Sequence, residues 1–308
     1  MEKEWQEFMN KYPSFTRMGA HEQNQLIAQI DVLIEKAKAE KWLIEPYELQ
    51  LGEQIGEGSS SVVLDCVWRG TRIAVKRTRQ KRIPLLKDLL VEIELWSGLR
   101  HPNLVQFMGF THMDEFMILM ERIHGTTLSE FVTSQRKYNK CALARQLINV
   151  FLFLHSCKPP VIYRDLKPDN LLVESSGLLK LTDFGLSRFV PEEEGYRMSG
   201  QTGTPRYMAP EVALGKHYDL KADVYSVGLV LYFIFTGEKP FTCYTEKRLH
   251  EYFQSDNMAF PSEKIRDKQI RDIVDGCVTR NVEERWDIHR VSEEFSKVRE
   301  LPQRCSMM

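Results

Sequence analysis

The sequence predicts an α+β chain in which a small, mostly antiparallel sheet with one key helix precedes a larger and mainly helical part. Three observations carry this. Short apolar runs with the two-residue alternation of strands recur from Leu49 to Met120. Residues 84–99 interrupt them with a 3.6-residue rhythm that puts Leu85, Leu86, Leu89, Ile93 and Trp96 on one side. Beyond lie long apolar helical stretches, 138–157 and 221–236, the second ended by Gly237 where left-handed backbone is needed. With 308 residues, 43% of them hydrophobic, the chain can bury a sizeable core, as one large two-lobed domain or two small ones.

Charge and cysteine usage narrow the class. Lys+Arg 42 against Asp+Glu 43 gives a net charge of -1, so nothing global favours nucleic acid or an anionic membrane, and a partner must be recognised locally. The 6 cysteines form no C-x-x-C pair and no metal-ligand spacing, and the start M-E-K-E-W-Q-E is too charged for a signal peptide. A reducing, cytoplasmic setting is the expectation. The most apolar run, 224–235, is shorter than the roughly 20 residues that span a bilayer, and reads as a helix buried on all sides.

Before Pro46 the rhythm is helical, with Leu26, Ile30, Leu33 and Ala37 in one stripe and Ile27 and Ile34 beside them; Trp5, Phe8 and Tyr12 suggest a shorter helix upstream. Such a helix serves a partner or second copy, or packs on the chain's own first lobe; the second reading is favoured, because amphipathic helices usually bury their face within their own chain. In residues 47–63, Leu49 and Leu51 alternate as in a strand, and Gly56 and Gly58 either mark a plain hairpin or let backbone amides approach phosphates. Ile73-Ala74-Val75-Lys76 reads as a strand ending in a lysine, followed by the basic run R-T-R-Q-K-R, best read as a solvated loop. On the next helix Glu92 sits at the edge of the apolar stripe and Glu94 on the opposite face. An acid facing a core requires a cation, and Lys76 is the candidate. The runs L-V-Q-F-M-G-F and F-M-I-L-M complete the sheet.

In V-I-Y-R-D-L-K-P-D-N, residues 161–170, Pro168 prevents a helix, so Asp165 and Asn170 can point from one loop into one cleft. Asp183, in D-F-G, follows the short strand L-L-K-L-T. Two carboxylates and an amide can hold a divalent cation through hard oxygens while one carboxylate takes a proton from an attacking hydroxyl. Residues 186–208 are polar, with Glu192, Glu193 and Glu194, and A-P-E closes them at Glu211.

Taken in order, these motifs resemble the signature of the eukaryotic protein kinases over residues 47–298. Two departures are Ser61, where the third loop glycine would stand, and Tyr163, where most kinases have histidine. The resemblance implies a bilobal fold with a helical extension (1–46), a kinase domain (47–300, with N-lobe 47–120, hinge 121–123 and C-lobe 124–300) and a tail (301–308). It implies ATP and Mg²⁺ as cofactors, with ATP against Ile55, Gly56, Glu57, Gly58, Val63, Ala74, Lys76, Glu121, Ile123 and Leu172, and Met120 guarding the pocket behind the base. By position, Asp165 would accept the substrate's proton, Lys167 would approach the transferred phosphate, and Lys76, held by Glu92, would anchor the α and β phosphates. Asn170 and Asp183 would hold the metal, and Arg285 would pair with Glu211.

The spans W-L-I-E-P-Y-E-L-Q-L, L-R-H-P-N-L-V-Q-F-M-G-F and G-T-P-R-Y-M-A-P-E are similar to the tyrosine kinase-like group that contains Raf-like and mixed-lineage kinases. Lys167 and Thr204 nevertheless argue for serine and threonine hydroxyls of protein substrates, and intracellular signalling is the expected setting. The competing class is a pseudokinase scaffold. Arg164 is expected unpaired until a phosphate on Ser199 or Thr202 reaches it, unless Glu192 to Glu194 already supply the charge. The ending Cys305-Ser306-Met307-Met308 fits a prenylation pattern, which would give a weak, reversible membrane anchor and no stable insertion.

Overall fold

A computed structural model describes residues 12, 15–58, 61–79, 82–112, 116–135, 137–191, 198, 200, 203–255 and 260–298. Trp5, Phe8, Glu192 to Glu194, Ser199, Thr202 and the tail with Cys305 lie outside the described residues. The chain divides into two compact units, residues 1–100 with 105–123, and residues 101–104 with 124–308.

In the first unit, α1 (Ala20–Ala39) buries Leu26, Ile30, Leu33, Ile34 and Ala37, the stripe its sequence draws. The chain then joins the sheet edge: the Ile44 amide donates to the Phe110 carbonyl and the Phe110 amide to the Trp42 carbonyl, at 2.9 and 3.0 Å. The Trp42 ring meets Phe107 edge-on at 5.4 Å. The sheet is formed by β1 (Leu49–Glu57), β2 (Ser61–Trp68), β3 (Thr71–Thr78), β4 (Phe107–Thr111) and β5 (Met117–Glu121), in the order β1-β2-β3-β5-β4 with antiparallel neighbours. Its core joins Ile44, Cys66, Ile73, Val75, Met117 and Leu119. Between β3 and β4 runs α2 (Ile83–Ser97), with Pro84 in its first turn, where a missing amide hydrogen costs nothing.

One expectation needs correction. The run 104–110 is not one strand: β4 begins only at Phe107, and residues 101–104 belong to the second unit, where the Asn103 side chain donates to Gln146 and to the Leu179 carbonyl. At the expected hinge, Glu121 ends β5 opposite Ile73, its carboxylate accepts the Gln106 amide, and the first unit ends at Ile123.

The second unit is mainly helical. It contains β6 (Gly125–Thr127), α3 (Leu128–Ser134), α4 (Lys140–Ser156), β7 (Val161–Ile162), β8 (Leu171–Glu174), β9 (Leu179–Leu181) and β10 (Arg188–Phe189). Strands pair as β6-β8-β9 and as β10-β7. Then follow α5 (Pro210–Ala213), α6 (Lys221–Thr236), α7 (Glu246–Gln254), α8 (Lys268–Cys277) and α9 (Ile288–Ser296). Asn139 caps α4 by accepting the Ala142 amide, which sets its start just after the expected residue 138. Every residue of α6 from Ala222 to Ile234 is buried, and Gly237 ends it at φ 76°. That helix forms the floor under the loop carrying Asp165. Among the described residues no helix is long and apolar enough to cross a membrane.

Candidate active site

The residues singled out in the sequence fall into two groups, one in each unit. In the first, strand alternation sends Ile73 and Val75 into the core and turns Lys76 to the other face of β3. There its Nζ donates to both Glu92 oxygens, at 2.7 and 2.9 Å. The Glu92 side chain is 3% exposed and that of Lys76 13%. Glu94 is exposed, as its face of α2 requires. Val63 lies opposite Lys76 and Ala74 opposite Met120 in the ladder. Ile55 is exposed on β1, and the Gly58 amide donates to the Ser61 carbonyl at 2.8 Å, closing a hairpin. Glu57 pairs with Arg79. Ile123 is buried.

In the second unit the loop between β7 and β8 gathers Asp165, Lys167 and Asn170. Three side-chain donors converge on the Asp165 carboxylate: Lys167 Nζ at 2.8 Å, Thr204 Oγ1 at 2.8 Å and Asn170 Nδ2 at 3.1 Å. The Lys167 ammonium also reaches Thr204 Oγ1 at 3.1 Å. Thr204 arrives there through Gly203, whose φ is 110° and where an added Cβ would fall 2.4 Å from the Arg164 carbonyl oxygen. Glycine alone among residue types tolerates that backbone angle together with that approach. Asn170 also donates to the Asp165 carbonyl, at 2.9 Å, so its amide hydrogens face the loop and its Oδ1 remains an acceptor. The amide of Thr182, next to Asp183, donates to the Asn170 carbonyl at 3.0 Å, tying the two segments together. Leu172 is half-buried on β8 opposite Lys180.

What holds this loop was missed in the sequence. Asp223, on the first turn of α6 and 1% exposed, accepts the backbone amides of Tyr163 and Arg164 at 2.8 Å each and contacts His155 Nε2 at 3.1 Å. The stretch 221–236 is therefore not wholly apolar, and an acid in an otherwise apolar helix was the available signal. Tyr163 stands edge-on to Phe184 at 5.6 Å, and its hydroxyl donates to the Thr182 carbonyl at 2.5 Å. Burial pushes its phenol pKa well up, and the charges of Asp183 and Asp165 add to the effect. Arg164 donates its Nε to the Leu186 carbonyl at 2.5 Å and its Nη1 to the Tyr218 hydroxyl at 3.3 Å; both acceptors are neutral, and among the described residues its charge has no anionic partner.

The protein kinase domain family matches residues 49–295. The chain belongs to that family. It is 31% identical over 274 residues to the serine/threonine-protein kinase VIK of Arabidopsis thaliana, covering 84% of this chain and 62% of that protein. It is 32% identical over 244 residues to the serine/threonine-protein kinase pak-2 of Caenorhabditis elegans, covering 76% of this chain and 45% of that one. A probable serine/threonine-protein kinase SIS8 of Arabidopsis thaliana is 37% identical over 204 residues, 63% of this chain and 19% of its own. The kinase chain thus spans less than two thirds of the length of these relatives.

Protein kinases use ATP as donor and Mg²⁺ as its metal partner, and the residues present fit that metal. Mg²⁺ prefers hard oxygens and takes few protein ligands, the rest coming from water and phosphate. Asn170 Oδ1 and the exposed Asp183 carboxylate are of that kind. Farther along the kinase chain Arg285 meets Glu211 in a two-pronged pair, Nη1 to Oε1 at 2.6 Å and Nη2 to Oε2 at 2.9 Å, which fastens the start of α5.

Proposed function

We propose that this chain transfers the γ-phosphate of ATP to serine and threonine hydroxyls of protein substrates, as a cytoplasmic signalling kinase of the tyrosine kinase-like group. The observation that carries the reading is the convergence of Lys167, Thr204 and Asn170 on the Asp165 carboxylate. Those donors fix the carboxylate in one orientation, the condition for a general base to meet an incoming hydroxyl. In the transfer the hydroxyl proton passes to Asp165 and the hydroxyl oxygen bonds the γ-phosphorus. The bond from that phosphorus to its bridging oxygen breaks, releasing ADP. Lys167 lies beside the base, where its ammonium offsets charge on the moving phosphoryl group, and Thr204 aligns the substrate backbone. Lys76, kept in place by Glu92, anchors the α and β phosphates. Mg²⁺, when bound by Asn170 and Asp183, neutralises phosphate charge.

The group assignment is supported by the motif spans around residues 42–51, 99–110 and 203–211. The presence of Lys76, Asp165, Asn170 and Asp183 together counts against a scaffold without phosphotransfer. The test is incubation of the purified chain with Mg-ATP and a generic basic protein, with phosphate located by mass spectrometry. Phosphoserine and phosphothreonine are expected. Asp165→Asn should lower turnover roughly 10²-fold or more while leaving ATP binding nearly intact. Undiminished transfer by that variant, or phosphate found on tyrosine alone, sinks the reading.

A further inference from the structure

Beside the helix that bears Glu92 lies a groove of about 550 Å³, walled by α1 on one side and α2 on the other. Leu26, Leu33 and Leu90 form its apolar floor, 1%, 6% and 7% exposed. Its outer rim on α1 is a ridge of exposed residues, Glu22, Gln25, Gln29, Val32 and Lys36. Their spacing alternates three and four, so they line one face of α1. Val32 stands 70% exposed in that ridge. A knob and a hole therefore adjoin on one face, as an isologous contact requires.

We propose that this face is where a second copy of the chain docks, with the two α1 helices antiparallel about a twofold axis. The charge order selects both the occupant and the direction. Glu22 stands at one end of the ridge and Lys36 at the other, with Gln29 midway. Antiparallel pairing sets each Glu22 opposite the other copy's Lys36, whereas parallel pairing would oppose like charges. Lys87 occupies only Oε1 of Glu22, at 2.8 Å, so Oε2 is open to a second ammonium, and Lys36 has no ion pair among the described residues. On the axis the two Gln29 amides meet, each supplying a donor and an acceptor. Val32 of one copy enters the groove of the other.

The experiment uses the full chain carrying Cys243→Ser, which removes an exposed thiol, and Cys305→Ser. Gln29→Cys, mildly oxidised, should give a disulfide-linked dimer, while Asp31→Cys, off the ridge, should not. In sedimentation Lys36→Glu should weaken dimerisation roughly fivefold, and adding Glu22→Lys should restore it. A chain that is monomeric at every concentration overturns the proposal. In that case alkylation of the Gln29→Cys thiol tells what covers the groove: protection assigns it to residues 1–11 of the same chain, and free reaction leaves it to another protein. Equal cross-linking at Asp31→Cys, or no recovery in the double charge swap, overturns it as well.

Discussion

Two glutamates of this kinase are buried against a cation, Glu92 in the first unit and Glu211 in the second, and the two pairs are built differently. Glu92 meets an ammonium on a strand, with side-chain exposures of 3% for the acid and 13% for the lysine. Glu211 meets a guanidinium whose side chain is 0% exposed. Arg285 spends its remaining donors on the carbonyls of Thr279, Lys221 and Arg280, and its plane lies over the Tyr225 ring at 5.1 Å. A planar fork with every prong occupied is a rivet. An ammonium is a compact charge on a flexible stem, and Lys76, still reached by solvent, can serve a second anion. Burial of an ion pair alone thus says little about its role. Access and the number of competing partners decide it.

The comparison can be broken most severely at its sealed end. Arg285→Ala leaves the Glu211 carboxylate buried without its counter-ion, and unfolding in denaturant should show a loss of about 3–5 kcal/mol. A loss below about 1 kcal/mol would mean that water reaches Glu211 and that the rivet is no rivet. Exchanging the cation sharpens the point. Arg285→Lys keeps the charge but loses the fork, and should cost roughly 1–3 kcal/mol, the penalty of buried acceptors left unmet. Stability equal to the parent would show that charge, not geometry, holds the pair.

The smallest effect belongs to a half-buried group with no counter-ion among the described residues. His101 stacks on Phe153 at 5.0 Å, its Nδ1 accepts the Asn103 amide at 3.1 Å, and burial lowers its pKa. A depressed histidine contributes stability that is complete above the unfolded value, near 6.5, and is lost as pH falls toward the folded value. His101→Gln should therefore flatten the fall in stability between about pH 6.5 and pH 5. Denaturation midpoints at the two pH values, compared between parent and variant, measure it; an unchanged slope would assign the fall to other groups.

What was legible in the sequence follows the same physics. Glu92 could be matched to Lys76 because an acid on an apolar stripe must find a cation, and side-chain charge is printed in the sequence. Helix α6 could be bounded because Gly237 marks a left-handed end. Asp223 stayed hidden because the groups it holds in the loop are the backbone amides of Tyr163 and Arg164, which every residue carries and no spacing reveals. The run 104–110 misled because hydrophobicity marks burial without saying in which unit. Ser199, Thr202 and Cys305 lie outside the described residues.

The account rests on the two pairs having different jobs, and the most direct test makes the same change in both. Glu92→Gln and Glu211→Gln each remove one buried charge and keep its shape. Denaturant stability and phosphotransfer are then measured on both purified proteins. Glu92→Gln should lose turnover roughly 10²-fold, with stability within about 1 kcal/mol of the parent. Glu211→Gln should lose about 3–5 kcal/mol, because Arg285 stays sealed and uncompensated. A Glu92→Gln protein that keeps its turnover, or that unfolds as readily as Glu211→Gln, would contradict the account.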